Sequence, residues 1–314
     1  MMDSNLRAAR LHLRSPNLKP PMHIQPLIPQ RLALGECPHW DASTGQLWAM
    51  DCRRGLLLRI DPASGQTEQH LLPAPTGSFA LNADGRIVIA MKEALGLYDP
   101  AGRQLQTLAE LDEHLPHLRL NDGCALPDGR FLVGSMHLHL EAGEAPRGGI
   151  YVLERDGQLQ RIGPALTTAN GPLIHPRSGR LFIADSAAQS IYSFDIISGQ
   201  AQDQQLFVST QPQQSAPDGC CWDSEGGLWT ALVRTGQLAR YDAQGALSQL
   251  IRLPMAHPSA LCFGGPDLAD LYVTSISDSG RLRASGPLDG AIVRITGLGY
   301  RGLAKPKARI LITD

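Results

Sequence analysis

Four oxygen-bearing side chains occupy the same position in a repeated sequence pattern. Glu36, Asn121, Asn170 and Asp218 each precede a short apolar segment by 11 or 12 residues. Three of them, Glu36, Asn170 and Asp218, supply two carboxylates and one amide carbonyl, an all-oxygen set that suits a hard divalent cation. The ligand type favours Ca²⁺, Mg²⁺ or Mn²⁺, and Zn²⁺ is an alternative. With only three protein ligands, the ion would keep open positions for water and a substrate.

The same dipeptides have an ordinary structural interpretation. Asn170-Gly171 and Asp218-Gly219 are common turn sequences, and a glutamate that follows a glycine, as Glu36 does, is commonly a solvated loop charge. Taken singly, each is better explained as a turn or a loop. Their shared position ahead of equivalent strands in different repeats favours the cation site for the set.

A cation and an amide stand two residues apart at Arg119 and Asn121. In an extended segment they lie on the same side, where they could hold the hydroxyl or carbonyl groups of a polar substrate. The competing interpretation of Arg119 is a salt bridge at the rim with Asp112 or Glu113.

Two histidines, His137 and His139, also alternate onto one side of an extended segment. A single histidine at a strand end is usually packed or solvated. A pair that leads into a loop predicts contact with the substrate, and we assign this role to His139.

The strands that must position these side chains recur along the chain. Short apolar segments are centred on six marker residues, which are Trp48, Val88, Leu132, Phe182, Trp229 and Tyr272. The intervals between them are 40, 44, 50, 47 and 43 residues, and a further strand pattern follows each marker. This period predicts an all-β fold, a six-bladed β-propeller with four antiparallel strands in each blade. Equivalent positions then share one end of the propeller axis, so the four polar side chains should converge there.

Closing the ring requires a terminal strand, because the sixth blade lacks a fourth strand after its third. Residues 23–28 and residues 309–313 both have suitable sequences, and the pattern alone does not decide between them. The chain of 314 residues is therefore expected to contain one propeller domain, residues 22–314, preceded by a disordered tail, residues 1–21, in which prolines interrupt any periodicity.

Charge and cysteine usage narrow the functional classes. The net charge of -2 and the pI near 6.5 provide no basic stripe for nucleic acid, and no apolar segment reaches the ~18 residues of a membrane helix. Six scattered cysteines without Cys-x-x-Cys spacing or a secretory leader predict reduced thiols in a cytoplasmic protein. We expect a monomer or a weak homo-oligomer.

The combination of these motifs resembles the SMP-30/gluconolactonase family, also called regucalcin-like. The resemblance rests on Glu36, the segment from Arg119 to Gly123, Asn170-Gly171, and Pro217-Asp218-Gly219. It implies a six-bladed propeller that uses one divalent cation, Ca²⁺ or Zn²⁺ first and Mg²⁺ or Mn²⁺ second, to hydrolyse sugar lactones.

Carried over to this sequence, the resemblance implies residue roles as well. Glu36, Asn170 and Asp218 become the metal ligands, with Asp218 also the catalytic acid and base, and Arg119 and Asn121 become substrate binders. Some family members carry a substrate-contacting glutamate where this sequence has His139. That difference affects which substrate is expected to bind, and it leaves the implied hydrolysis unchanged.

Two other functions fit the same fold. A metal-dependent esterase or organophosphate hydrolase needs the same ion with a more apolar pocket, and a non-catalytic calcium-binding propeller would bind an ion without turnover. A small-molecule lactone is the expected partner.

Overall fold

The computed structural model describes residues 21–111, 117–141 and 143–311. Within them, six antiparallel sheets of four strands each form the six blades of a β-propeller. The predicted fold class is confirmed, and all six marker residues lie on the second strand of a blade. The predicted tail falls outside the described residues except for Pro21, so the domain boundary stays a prediction.

The first three blades, each from its first strand onwards, have the following bounds: β2 Gly35–Asp41, β3 Gln46–Asp51, β4 Leu56–Ile60 and β5 Thr67–Leu71; β6 Thr76–Leu81, β7 Ile87–Met91, β8 Ala94–Asp99 and β9 Gln104–Glu110; β10 Leu118–Ala125, β11 Phe131–His137, β12 Ile150–Leu153 and β13 Leu159–Arg161. The other three blades are β14 Ala169–Ile174, β15 Leu181–Asp185, β16 Ser190–Ile197 and β17 Gln200–Ser209; β18 Pro217–Trp222, β19 Leu228–Leu232, β20 Gln237–Tyr241 and β21 Leu247–Arg252; β22 Pro258–Gly264, β23 Asp270–Ser275, β24 Val293–Thr296 and β1 His23–Pro26. A 3₁₀ turn spans Gln211–Gln213. None of the described segments forms a helix that is long and apolar enough to cross a membrane.

The N-terminal strand closes the ring. β1 pairs antiparallel with β24, with His23 opposite Thr296, so the first and last parts of the described chain share one blade. The alternative prediction, that residues 309–313 close the ring, is wrong for residues 309–311, which are the part that the structure describes. There the Arg309 amide donates to the Gly129 carbonyl (2.6 Å), which places the segment against a turn of blade three.

The apolar core is divided among the interfaces between neighbouring blades. Six main clusters each combine buried side chains of two adjacent blades. Aromatic pairs lie at several of these interfaces; for example, Trp40 stacks on Tyr272 with ring centroids 5.7 Å apart, and Trp229 meets Phe263 edge to face at 6.2 Å. Each blade therefore covers the apolar face of the next one, which is why the fold needs a complete ring.

A β-bulge interrupts the first strand of every blade. These six inner strands contact one another in succession around the channel, and the pairing of each with its second strand shifts register near the same end. A bulge leaves residues unpaired and redirects the strand. The chain thereby turns inner-strand side chains toward one mouth of the channel.

Candidate active site at one mouth of the central channel

The bulges lie at the residues that were predicted to converge. The register shifts fall between Glu36 and His39 in β2, between Asn170 and Leu173 in β14, and between Pro217 and Cys220 in β18. Asn170-Gly171 and Asp218-Gly219 are thus parts of bulged strands, so their interpretation as chain-reversing turns is wrong.

The glycine after Asn170 is required by two constraints. Gly171 has φ +50°, a left-handed conformation that side chains with a Cβ rarely adopt, and a Cβ there would lie 2.6 Å from the Cys220 Sγ. The inner strand of blade five approaches too closely for any side chain. This close approach brings Asn170 and Asp218 to the same cavity wall.

A cavity of about 340 Å³ opens at this mouth. The five predicted residues other than His139 all line it, namely Glu36, Arg119, Asn121, Asn170 and Asp218. Blade two contributes the small residues Thr76 and Gly77 at the equivalent position. The corresponding Ser259 of blade six does not line the cavity, because its hydroxyl is buried and donates to the Gly35 carbonyl between blades six and one.

A chain of hydrogen bonds orients the Asn170 amide. Its Oδ1 accepts a bond from Asn121 Nδ2 (2.6 Å), and its Nδ2 donates to Ser186 Oγ (2.8 Å). Ser186 in turn donates to the Pro217 carbonyl at 2.5 Å. The amide oxygen therefore faces Asn121 and the cavity, and Ser186 links blade four to the residue before Asp218. Nothing in the local sequence singled out Ser186.

The carboxylates at the cavity floor repel one another. The pKa of Glu36 is raised well above its usual value, first because the surrounding protein removes water and then because Asp218 lies nearby. The pKa of Asp218 is also raised well above its usual value, by burial and then by Asp122. Arg119 offsets part of this effect at both carboxyl groups. Such a cluster is stabilised by a bound cation.

Asp122, which lies in the segment from Arg119 to Gly123, is a further acidic residue of the cavity floor that was not predicted. It accepts hydrogen bonds from the amides of Gly123 (2.8 Å) and Gly171 (2.9 Å). These bonds hold its carboxylate between blades three and four, so Asp122 has fewer lone pairs available for an ion than Glu36 or Asp218.

The donor set fits a hard divalent cation when the amide is included. Within the described ranges, no three His, Cys, Asp or Glu side chains are grouped as a metal site requires. A cation held by the predicted ligands Glu36 and Asp218 would therefore need the Asn170 oxygen as a third protein ligand. Carboxylate and amide oxygens are ligands that Ca²⁺ accepts.

Comparison with known proteins places this geometry in a family. The family model described as the SMP-30/Gluconolactonase/LRE-like region matches residues 34–277 of this chain. The chain belongs to this family. Regucalcin of Xenopus laevis is 31% identical over 288 residues, which cover 90% of this chain and 96% of that protein. The 6-deoxy-6-sulfogluconolactonase of Pseudomonas putida is 29% identical over 284 residues, covering 89% and 96%.

A solved structure supports the same assignment. The calcium-binding protein regucalcin from Agrobacterium tumefaciens superposes with a TM-score of 0.81 at 26% identity, covering 90% of this chain and 96% of that one. The match spans nearly the whole propeller, so the blade arrangement of this SMP-30/gluconolactonase/LRE-like protein is that of a solved relative.

His137 and His139, the two predicted histidines of blade three, have different surroundings. His137 is buried, and its Nε2 accepts the amide hydrogens of Arg147 (2.8 Å) and Gly148 (3.3 Å), which fixes the loop. The His139 side chain is 62% exposed, pairs with Glu141 at 2.9 Å and does not line the cavity. Substrate contact by His139 stays a prediction.

Arg119 lies inside the cavity wall. It is buried, and its Nη1 donates to the Leu120 carbonyl at 2.9 Å. Burial lowers the pKa of Arg119, while Glu36 and Asp218 counteract that effect. The alternative salt bridge to Asp112 or Glu113 falls outside the described residues.

Proposed function

We propose that this protein is a divalent-cation-dependent lactonase that hydrolyses a sugar lactone to the corresponding hydroxy acid. The observation that carries the proposal is the meeting of Glu36, Asn170 and Asp218 in one cavity. The Arg119 guanidinium offsets only part of the negative charge of the two carboxylates. Membership of the family supports the reaction class, and the name of the Pseudomonas putida relative supports a sugar lactone as substrate.

Glu36, Asp218 and the Asn170 amide oxygen would hold the cation. A cation held there would supply Lewis-acid chemistry, polarising the ester carbonyl and stabilising the negative charge that develops on its oxygen. Ca²⁺ and Zn²⁺ are the first ions to test, followed by Mg²⁺ and Mn²⁺. The calcium-binding solved relative supports starting with Ca²⁺.

Asp218 moves the proton in this mechanism. Its carboxylate takes a proton from the attacking water as the water oxygen bonds to the carbonyl carbon. The ring C–O bond then breaks, and the same proton passes to the departing ring oxygen. Water is consumed, and no other reactant is needed.

Arg119 and Asn121 would orient the substrate. The Asn121 Nδ2 is engaged by the Ala169 carbonyl (2.8 Å) and by Asn170, whereas its Oδ1 accepts no hydrogen bond from the described part of the chain. That oxygen can accept a sugar hydroxyl, while the Arg119 guanidinium donates to another polar group. His139 could contribute only after its loop moves toward the cavity. We also infer a cytoplasmic location, since all six cysteines are unpaired.

A lactonase screen tests the proposal. Proton release would be followed in a pH-stat with pentono- and hexono-lactones and with aryl esters, before and after chelation and after return of single divalent ions. We expect turnover of lactones that chelation abolishes and one ion restores. Turnover of aryl esters alone would establish the esterase alternative, and ion binding without any turnover would establish the non-catalytic calcium-binding alternative.

A further inference from the structure

Four arginines line the cavity at the channel mouth, although the sequence analysis singled out only Arg119. The others are Arg53 after β3, Arg234 after β19 and Arg281 in the loop between β23 and β24. They come from blades one, three, five and six. The acidic floor is thus surrounded by positive charge from most of the ring.

The four guanidinium groups differ in how their charge is balanced. Arg53 forms a salt bridge with Asp278 at 2.7 Å, and Arg119 is buried beside the floor carboxylates. These two arginines have acidic neighbours within the protein.

Arg281 and Arg234 form no ion pair with any described residue. Within the described part of the chain, the Nη2 of Arg281 donates to two main-chain carbonyls, those of His137 (3.0 Å) and Leu138. The Arg234 side chain forms no hydrogen bond or ion pair within the described residues; only its main-chain amide is engaged, by Ser215 Oγ at 3.0 Å. Both side chains are exposed at the rim, so two guanidinium groups that form no ion pair with the described residues face solvent above the cavity.

This arrangement separates two kinds of recognition. The floor offers oxygen ligands suited to a cation, and the rim offers guanidinium groups, whose planar donors suit an oxyanion. An uncharged sugar lactone would use the floor and leave the rim cations without a partner. A substrate with its ester at the floor and an oxyanion at its far end would engage both.

We propose that the substrate of this protein is a sugar lactone that carries a terminal oxyanion, and that Arg234 and Arg281 bind it. The inference rests on the proposed lactonase function and specifies its substrate class. A sulfonate, a phosphate and a carboxylate share the required chemistry, and they differ in charge and in the number of oxygens offered to the two arginines.

Matched substrates test the inference. The kcat/KM would be measured for glucono-lactone and for its counterparts with a sulfonate, a phosphate or a carboxylate at the terminal carbon. We expect at least one anionic lactone to be preferred by about tenfold or more, the effect of one charge-assisted hydrogen bond. The preference should shrink as ionic strength rises, because both arginines are exposed to solvent.

Two variants and one control assign the effect to residues. Arg234→Gln and Arg281→Gln should each lower the ratio of anionic to neutral kcat/KM by about tenfold. Arg283→Gln removes the same charge from the same loop as Arg281, at a side chain that is 73% exposed, pairs with Asp278 and does not line the cavity, and it should leave the ratio unchanged. Because Arg281 also contacts the blade-three loop, Arg234→Gln is the cleaner variant.

A binding measurement separates this inference from the proposed function. In the Asp218→Asn variant, the affinities for gluconate and 6-phosphogluconate would be compared by calorimetry, with and without Arg234→Gln. Lactone turnover without an anionic preference overturns the inference and leaves the function standing. No lactone turnover by the wild-type protein, together with tighter binding of 6-phosphogluconate to the variant that depends on Arg234, supports the oxyanion site and overturns the function. Equal binding of both sugar acids overturns the site.

Discussion

The two ends of the central channel consist of the same six inner strands and differ in chemistry. One mouth holds the acidic floor and the arginine rim. At the other end is a cavity of about 470 Å³ lined mainly by apolar side chains and thiols, including Phe79, Cys124 and Cys220. The C-terminal segment covers that end, where Lys305 Nζ donates to the Pro38 carbonyl at 2.9 Å.

Blade five shows the contrast within one strand. Asp218 stands at the mouth end of β18, and Asp223 follows its other end. Asp223 is fully buried and accepts hydrogen bonds from Arg240 Nε (2.6 Å) and Trp229 Nε1 (2.8 Å). The negative charge of Asp223 is neutralised by Arg240, whereas the negative charge of Asp218 is repelled by the neighbouring carboxylate of Asp122. The closed end therefore stabilises the fold, whereas the open end keeps a destabilising group of carboxylates, which the proposed cation binding would explain.

The largest expected effect is the loss of activity in Asp218→Asn. This change removes the proposed proton acceptor and one charged ligand of the proposed cation, so kcat/KM should fall by about a thousandfold or more. The metal-free variant should melt at the same temperature as the wild-type protein or at a higher one, because repulsion with Glu36 and Asp122 is relieved. Lactone turnover and thermal unfolding measured on one preparation check both effects, and a strong loss of stability would contradict the contrast between the two ends.

The opposite result is expected for Asp223→Asn at the closed end. Arg240 would lose its buried charged partner and keep only the exposed Glu225 at 3.3 Å, which costs about 3–5 kcal/mol. The free energy of unfolding, measured by denaturant titration, should fall accordingly, while kcat/KM per folded molecule stays at the wild-type value. If catalysis fell and stability did not, the two ends could not be treated as separate.

A smaller effect at the mouth is expected for Ser186→Ala. Without the hydroxyl, the Asn170 Nδ2 loses its acceptor and the amide oxygen is less well oriented, so the Kd for Ca²⁺ should rise by about 10- to 100-fold. Isothermal calorimetry would measure it. Ser190→Ala is the matched control in the same blade, because the Ser190 hydroxyl donates to the Ala188 carbonyl (3.1 Å) away from the site. Equal Ca²⁺ affinities in the two variants would exclude an orienting role for Ser186.

The smallest expected effect is a pH dependence of stability that originates at the closed end. Burial lowers the pKa of His39 from 6.5 to about 3, and Lys305 and Lys307 add to this, while Asp41 opposes it. The neutral ring is favoured in the folded state, so its contribution is complete above pH 6.5 and is lost progressively as the pH falls toward 3.

His39→Gln should remove this part of the acid sensitivity. Between pH 7 and about pH 5.5 the wild-type protein should lose on the order of 1 kcal/mol more than the variant. Denaturant titrations at several pH values would measure the difference. His139→Gln, at an exposed position near the mouth, is the control and should follow the wild-type curve; parallel curves for His39→Gln and the wild-type protein would show that His39 does not cause the effect.

Much of the fold could be predicted because its information is local. Turn residues ahead of short apolar segments, such as Asp128-Gly129 before Leu132, mark the first two strands of a blade within a few residues of each other. Ring closure could not be predicted, because residues 23–28 and 309–313 have equally suitable strand sequences. The choice depends on which segment reaches β24, and that is a property of the closed ring.

The sequence by itself determined the six-bladed repeat and the shared position of Glu36, Asn121, Asn170 and Asp218, since both follow from strand periodicity and register. Only the tertiary structure decided that Ser186, Arg234 and Arg281 lie at the mouth cavity, and which end of the channel is covered. The physical reason is separation along the chain: the Arg281 contact with His137 joins residues 144 positions apart. Such a contact leaves no periodic signal and exists only once the blades have closed on one another.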